Sequence, residues 1–585
     1  MKKCPECGRE YDNTMMFCLD DGAELLYGPA KSELGEVAIG FPNADEPATA
    51  ILSEPGAVAT RFPASQPPTR AQINTTDQTA ILPTSTGDIV PKPHGFDKRL
   101  LFAPLALAVI VLGGIFGYRY ITPAKQIESI AVMPFVNESG NADVEYLSDG
   151  MTETLINSLS QIPNLSVKAR SSVFRYKGKE IDPKKVAAEL GVQAILTGRL
   201  IQRGDQLTLS VELIDGQTEN AIWGNKYERK GSDLVALQSE VARDVSGKLK
   251  SKISGADADK VAKIYTTNPE AYQFYLKGRF QWNRRTGESL KQASEFYKQA
   301  VEKDSNYALA YSGLAETYVL FSSYAVASSK DSMPQAKAAA MRALEIDDSL
   351  AEAHTALGEY LNLFEWDRIG AEKELRRAIA LNPNYATAHH WLGSDLLVPL
   401  KRFDEALAEM RRAEELDPLS LVIGTNVGDT FVYNRRYDEA IGQYKRVLTL
   451  DPNFQYARFG LGYGFHLKGM FREAIAEYRK GLELGYDPGF NGNLALSLAK
   501  SGQRDEAVKV LNQLKVESTQ RYVPSFAIAI VYIGLGEKDE ALNWLEKDIA
   551  DHSQQTAYYS VAPELDDLRS DPRFKAMLKR LNLPE

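Results

Sequence analysis

At 585 residues the chain is several times the length of one ordinary domain, so roughly three or four structural units are expected. A net charge of −10 and a pI near 5.5 leave no basic footprint, which excludes nucleic acid as an expected partner. All three cysteines fall within the first eighteen residues, and the rest of the chain carries none.

The head reads Cys4-Pro5-Glu6-Cys7-Gly8 and then Cys18-Leu19-Asp20-Asp21-Gly22. A Cys-x-x-Cys-Gly turn aims two sulfurs at one metal, and glycine after the second ligand gives the backbone its freedom. The second segment repeats that register, with Cys18 matching Cys4, Asp21 matching Cys7 and Gly22 matching Gly8. Residues 1–27 thus resemble a zinc ribbon. One structural zinc held by Cys4, Cys7, Cys18 and Asp21 is expected, with a carboxylate in place of the usual fourth thiolate. The acidic residues of the head outnumber its basic ones, which favours protein docking or self-association over nucleic acid.

Residues 28–97 hold ten prolines among many Ser, Thr and Ala, a composition too poor in apolar surface to fold, and read as a disordered tether. The window from Leu100 to Tyr118 contains nineteen uncharged residues between Arg99 and Arg119. As a helix it would be about 28 Å long at roughly 1.5 Å per residue, near the thickness of a bilayer core. A transmembrane helix is expected over 100–121, giving a single-pass membrane protein. A small excess of Lys and Arg before the span points to a cytoplasmic N-terminus and an extracytoplasmic C-terminal region.

From 127 to 253 the pattern is mixed α/β. Ser129 to Val136 reads as a buried strand, Asp149 to Gln161 as an amphipathic helix, and Pro183 to Leu190 as a helix opened by Asp182. Ala194 to Gln202 and Gln206 to Ile214 form a hairpin, Ala221 to Tyr227 an edge strand, and Ser232 opens a last helix through Leu249. Asp149 and Glu153 fall near a helix start, where capping is the expected role. The segments SIAVMPFVNESG, EYLSDGMTETLINSLSQI and ELGVQAILTGRLIQRGDQLTLSVELID resemble the TolB N-terminal-like domain. That resemblance implies an interaction or signalling module beside a repeat array.

The last half is periodic. Pro383, Pro418 and Pro452 close successive units 35 and 34 residues apart, and Gly358, Gly393, Gly428 and Gly462 recur at the same phase. Turn signals such as Arg402-Phe403-Asp404-Glu405-Ala406 and Arg436-Tyr437-Asp438-Glu439-Ala440 place acids at helix N-termini. This is the tetratricopeptide (TPR) pattern, expected over 265–552 in about eight repeats, with capping helices over 563–583. The fold class is therefore multidomain: a small zinc ribbon, a transmembrane helix, an α/β domain and an all-α TPR solenoid.

First helices of such hairpins line a concave groove. The positions read as exposed there are Thr387, His390, Ser394, Thr425, Asp429, Tyr433, Tyr456, Phe459, Tyr463 and His466. No metalloprotease, hydrolase or dinucleotide motif is present, so no enzyme is expected. The expected function is a membrane-anchored scaffold that binds protein or peptide partners in the groove. The alternative is a transmembrane transducer acting on the zinc-ribbon head by clustering.

Overall fold

A computed structural model describes residues 2–3, 10–11, 127–141, 144–249, 255–324 and 326–585. The chain divides into two compact units, Met1–Lys98 and Arg99–Glu585. In the first, β1 (Lys2–Lys3) pairs antiparallel with β2 (Glu10–Tyr11). The expected zinc ligands Cys4, Cys7, Cys18 and Asp21, the tether 28–97 and the apolar window 100–121 lie outside the described residues. The expectation of a single-pass membrane protein is corrected: among the described residues no helix is long and apolar enough to cross a membrane.

In the second unit a mixed sheet comes first. It is built from β3 (Ser129–Val132), β4 (Val136–Asn137), β5 (Ser166–Val167), β6 (Ala194–Arg203), β7 (Gln206–Asp215) and β8 (Ala221–Lys230), in the order β5-β3-β6-β7-β8. β3 runs parallel to β5 and β6, β4 is parallel to β6, and β6, β7 and β8 are antiparallel. The strand read as continuous over Ser129 to Val136 breaks at Met133-Pro134-Phe135, because proline has no N–H for the ladder. Phe135 turns its ring into the space left by Gly198, and its N–H donates to Thr152 Oγ1 at 2.9 Å. Helices α1 (Glu145–Ser160), α2 (Arg170–Phe174), α3 (Pro183–Leu190), α4 (Leu234–Leu249) and α5 (Gly255–Val261) accompany the sheet. Asp182 caps α3 by accepting from Lys185 N–H at 3.0 Å, and Gly191 ends it at φ +64°.

Eight antiparallel hairpins follow among the described residues. They pair α6 (Pro269–Trp282) with α7 (Gly287–Lys303), α8 (Ala308–Leu320) with α9 (Ser329–Ile346), α10 (Ala351–Tyr360) with α11 (Arg368–Leu381), and α12 (Ala386–Trp391) with α13 (Phe403–Leu416). The later pairs are α14 (Leu421–Tyr433) with α15 (Tyr437–Leu450), α16 (Gln455–Leu467) with α17 (Phe471–Leu484), α18 (Pro488–Lys500) with α19 (Arg504–Glu517), and α20 (Ser525–Leu535) with α21 (Lys538–Ala550). The hairpins follow one another at the TPR spacing read from the sequence.

Three repeated contacts explain the period. First, each small residue seats a large side chain. Tyr297 lies between Gly278 and Gly313, where an added Cβ would come within 2.6 Å of the ring, and Tyr444 lies between Gly428 and Gly460 in the same way. Second, in hairpins three to eight one turn residue adopts the left-handed conformation: Trp366, Lys401, Arg435, Gly469, Gly502 and Gly536, at intervals of 33 to 35 residues. Third, His354, His389 and Arg458 hold equivalent posts. Each meets a glutamate of the second helix (Glu374, Glu409 and Glu477 at 2.6, 2.6 and 3.0 Å) and the carbonyl six residues upstream. His389 is thereby a hairpin strut.

The chain does not stop at the last hairpin. A 3₁₀ turn (Gln554–Tyr558), a second (Pro563–Leu568) and α22 (Pro572–Arg580) carry it back to earlier repeats. Lys401 Nζ donates to the Glu585 carbonyl at 2.6 Å, Arg435 pairs with Asp566 at 2.8 Å, and Asn582 Nδ2 donates to the Trp366 carbonyl at 3.1 Å. The expected closing helix pair is one 3₁₀ turn and one helix, laid against hairpins three to five.

Replacing Gly313 by Ala forces the Tyr297 ring to move in a fully packed core. A loss of about 1–3 kcal/mol is expected, read as a lower denaturant midpoint, whereas the same change at Gly442, exposed inside α15 where an added Cβ meets nothing within 4 Å, stabilises by about 0.5–1 kcal/mol through helix propensity.

Candidate functional site

The sheet domain is fastened to the array by buried polar chemistry. Glu153 sits in the middle of α1 and not at its start, because the helix begins at Glu145; the expected capping role for Asp149 and Glu153 is therefore corrected. Gly150 allows α1 to approach α6, since a Cβ there would meet Leu276 at 2.8 Å. At that approach Glu153 accepts from Arg279 Nε at 2.8 Å and from Asn283 Nδ2 at 2.6 Å, with Arg170 Nε 3.2 Å away. Arg279 Nη1 reaches Glu316 of α8 at 2.8 Å, and the Tyr385 hydroxyl donates to the other oxygen of Glu316. Burial disfavours the Arg279 charge, yet Glu153, with Glu316 beside it, more than offsets this and holds the guanidinium well above its ordinary pKa. Asp149 is occupied by Lys177 at 2.7 Å.

A second set of contacts follows the ends of successive hairpins. Asn382 Nδ2 donates to Ser160 Oγ at 2.9 Å and Asn384 Nδ2 to the Leu165 carbonyl at 2.8 Å. One repeat on, Ala169 N–H donates to the Leu416 carbonyl at 2.9 Å, while Ser171 and Ser172 donate to Asp417. One further on, Arg175 Nη2 donates to the Leu450 carbonyl at 3.0 Å. Three successive repeat ends thus meet one edge of the sheet domain, the first through side-chain amides and the next two through the carbonyls of Leu416 and Leu450.

These contacts wall a cavity of about 990 Å³ inside the second unit. Its lining comes from the sheet domain (Arg170, Arg175), from first helices of the array, from the Ser322–Tyr324 loop and from the returning segment (Gln554, Tyr558, Glu564). Of the ten residues read from the sequence as groove positions, Thr387, His390, Ser394, Thr425, Asp429, Tyr433, Tyr456, Phe459 and Tyr463 all line it. His466 does not: its Nδ1 meets Ser497 Oγ at 2.8 Å between two hairpins, and burial lowers its pKa to about 4. The expectation that these positions are exposed is also corrected. His390, Ser394, Thr425, Tyr463 and His466 are buried, while Tyr456 is 41% exposed. The concave face is covered by the sheet domain and by the chain's own return, which the repeat pattern alone does not register.

The side of the cavity against the returning segment is acidic and phenolic. Tyr558 OH donates to Asp395 at 2.8 Å, Tyr444 OH to Asp429 at 2.5 Å, and Tyr463 OH to Glu564. Burial, with Asp395 beside it, raises the Glu359 carboxyl well above the ordinary range. Burial raises Asp429 to about 7. Two π-helical turns, Leu361–Glu365 and Leu392–Leu397, bring Asn362 and Asp395 together here, with Asn362 Nδ2 donating to the Asp395 carbonyl at 2.8 Å. An aromatic cluster occupies another stretch of the lining: Phe459 and Phe490 stack at 4.5 Å and Tyr456 meets Phe490 edge-on at 5.7 Å. Sequence reasoning missed Arg170, Arg175, Arg279 and Arg285, which also line the cavity; none carries a motif. Among the described residues no group of three or more His, Cys, Asp or Glu could hold a metal.

Comparison with known proteins fits this division. The sheet domain matches a family model described as the HilA/YgeH-like transcriptional regulator, second domain, over residues 125–243, a different name from the TolB-like resemblance drawn from sequence. Residues 427–488 match the tetratricopeptide repeat model. The chain is similar to putative adenylate cyclase 3 of Rhizobium meliloti (strain 1021), at 33% identity over 236 residues, which is 40% of each protein. It is also similar to transcriptional regulator HilA of Salmonella typhimurium, at 21% identity over 320 residues, 53% of this chain and 56% of that one. The chain thus spans about half or less of the curated relatives it matches. Among solved structures, the Pseudomonas aeruginosa pilF protein aligns at 24% identity and TM-score 0.28, covering 35% of this chain and 92% of its own. YrrB, described as a TPR protein with an unusual peptide-binding site, aligns at 24% identity and TM-score 0.24, covering 33% and 93%.

Two outcomes follow. Arg279→Met leaves Glu153 and Glu316 buried without their shared cation, so a loss of about 3–5 kcal/mol is expected, together with faster amide exchange in α1 and α6. The second concerns pH. Folding raises Asp429 from 3.8 to about 7, so between those values the unfolded chain has released a proton that the folded chain still holds. The stability from this group is full below pH 3.8 and is lost as pH rises to about 7. Asp429→Asn, which keeps an acceptor for Tyr444, should raise the melting midpoint at pH 7.5 by about 2–4 °C and leave it nearly unchanged at pH 4.5.

Proposed function

We propose that this chain is a non-enzymatic interaction scaffold that receives a segment of a protein or peptide partner in the cavity of its TPR array. The observation that carries this reading is the aromatic cluster of Tyr456, Phe459 and Phe490 on a concave lining, with Tyr456 left 41% exposed. Aromatic side chains lose little conformational entropy on binding and contribute large contact areas, which suits them as anchors for a partner's apolar residue. The YrrB description, a peptide-binding TPR protein, is in keeping with that use. The sheet domain supplies a rigid wall and so fixes the array's curvature before a partner arrives.

An enzymatic reading rests only on the likeness to putative adenylate cyclase 3, over 40% of that protein's length. The motifs of the chain give it no further support.

Binding of the full chain to a random peptide array tests the scaffold reading. Wild type should retain a related set of short peptides with apolar or aromatic residues. Tyr456→Ala and Phe459→Ala should weaken the best of them by about tenfold or more. A wild-type chain that retains no peptide above background, or variants that retain the same set equally, overturns it.

A further inference from the structure

One end of the cavity has donors without acceptors. The turn of the first hairpin holds Arg285 in the left-handed conformation at φ +52°, and its guanidinium stacks on the Trp282 ring at 3.7 Å. Arg279, one and a half helical turns earlier in the chain, stacks on the same ring at 4.3 Å but is neutralised by Glu153 and Glu316. Arg285 has no such partner: among the described residues its guanidinium makes no ion pair and no hydrogen bond. Two further cavity-lining donors are buried and unbonded, Trp282 Nε1 and Ser322 Oγ, their residues 5% and 8% exposed. Ser322 belongs to the second hairpin's loop, which meets the first turn where a Cβ on Gly287 would lie 3.0 Å from the Tyr324 carbonyl. A fourth unbonded donor, Arg175 Nη1, lines the cavity from the sheet domain.

Donors with no acceptor in the protein, gathered in one lining, suit a ligand that accepts from them. A guanidinium flat against an indole keeps its edge N–H groups free, and two parallel N–H bonds match an oxyanion. Burial lowers the Arg285 pKa, as for a charge whose counter-ion is not part of the protein. The left-handed turn gives independent weight. In hairpins four and five the turn residues Lys401 and Arg435 bond the returning chain through their side chains, while Arg285, in the same left-handed conformation, bonds nothing through its side chain.

We propose that Arg285, with Trp282 Nε1 and Ser322 Oγ, forms an oxyanion subsite of the cavity, which takes the carboxylate or phosphate group of a ligand. This deepens the scaffold reading by naming the charge of the cavity's occupant, and it rests on that reading only for the ligand's being a peptide.

The test uses the full chain and three probes: 3-phenylpropionate, phenyl phosphate and the neutral 3-phenylpropionamide, each titrated by calorimetry and by tryptophan fluorescence. The expected result is saturable binding of at least one anion and little of the amide; which anion binds tighter separates a carboxylate source from a phosphate source. Arg285→Gly is the informative variant, because glycine suits φ +52° and the fold should be retained, with a melting midpoint no lower than wild type. It should weaken the anion by at least about tenfold and remove the fluorescence change, while Arg285→Lys falls between. Equal affinity in Arg285→Gly, equal binding of the amide, or no saturable anion overturns the subsite. The two readings fail separately. Peptides retained equally by Arg285→Gly and unaffected by end amidation leave the scaffold reading standing and this one fallen. Anions bound through Arg285 with no peptide retained do the reverse.

Discussion

Arg279 is the contact on which the rest of the second unit depends. A guanidinium this buried is tolerated only because two glutamates from two different places in the chain reach it, Glu153 from the sheet domain and Glu316 from the second hairpin. Tyr385 extends the same chain of bonds to the fourth hairpin. A TPR array alone is quasi-one-dimensional, each repeat touching its neighbours, so its curvature is open to change. Tying hairpins one, two and four to a common polar centre removes that freedom and couples the sheet domain to the array.

The other closure is made by the chain itself. A left-handed turn is most easily met by glycine, and hairpins six to eight use Gly469, Gly502 and Gly536 there. Hairpins three to five use Trp366, Lys401 and Arg435, which cost more in backbone strain but supply contacts to the returning segment. The result is a concave face enclosed by sheet domain, array and C-terminal return, with an acidic, tyrosine-rich side and a separate group of unbonded donors around Arg285.

Enclosure changes what a groove can select. An open TPR groove reads an extended segment along its length, whereas a walled cavity of about 990 Å³ reads the charge and size of a short one. Burial raises the carboxyls of Asp429 and Glu359, so the packing of hairpins three to five beside the cavity depends on their protonation.

The repeats are legible in the order of residues alone. A 34-residue period of small residues, turn acids and prolines has one physical solution, the stacked hairpin, and the phase of Gly393 or Gly428 was enough to pick the first-helix residues that line the cavity. The Asp182 cap and the β6–β7 hairpin were legible for the same reason, since each is set by neighbours in the chain. Features that depend on partners far apart in the chain emerge only on folding. Glu153 read as a helix cap because its cation lies 126 residues away. His466 read as a groove residue because repeat phase does not say which neighbouring hairpin will cover it. Arg285 gave no signal, being one arginine in a turn until the Trp282 ring, the Ser322 loop and the cavity stand around it. Local spacing fixes which face a side chain takes; only packing between distant segments fixes what that face meets.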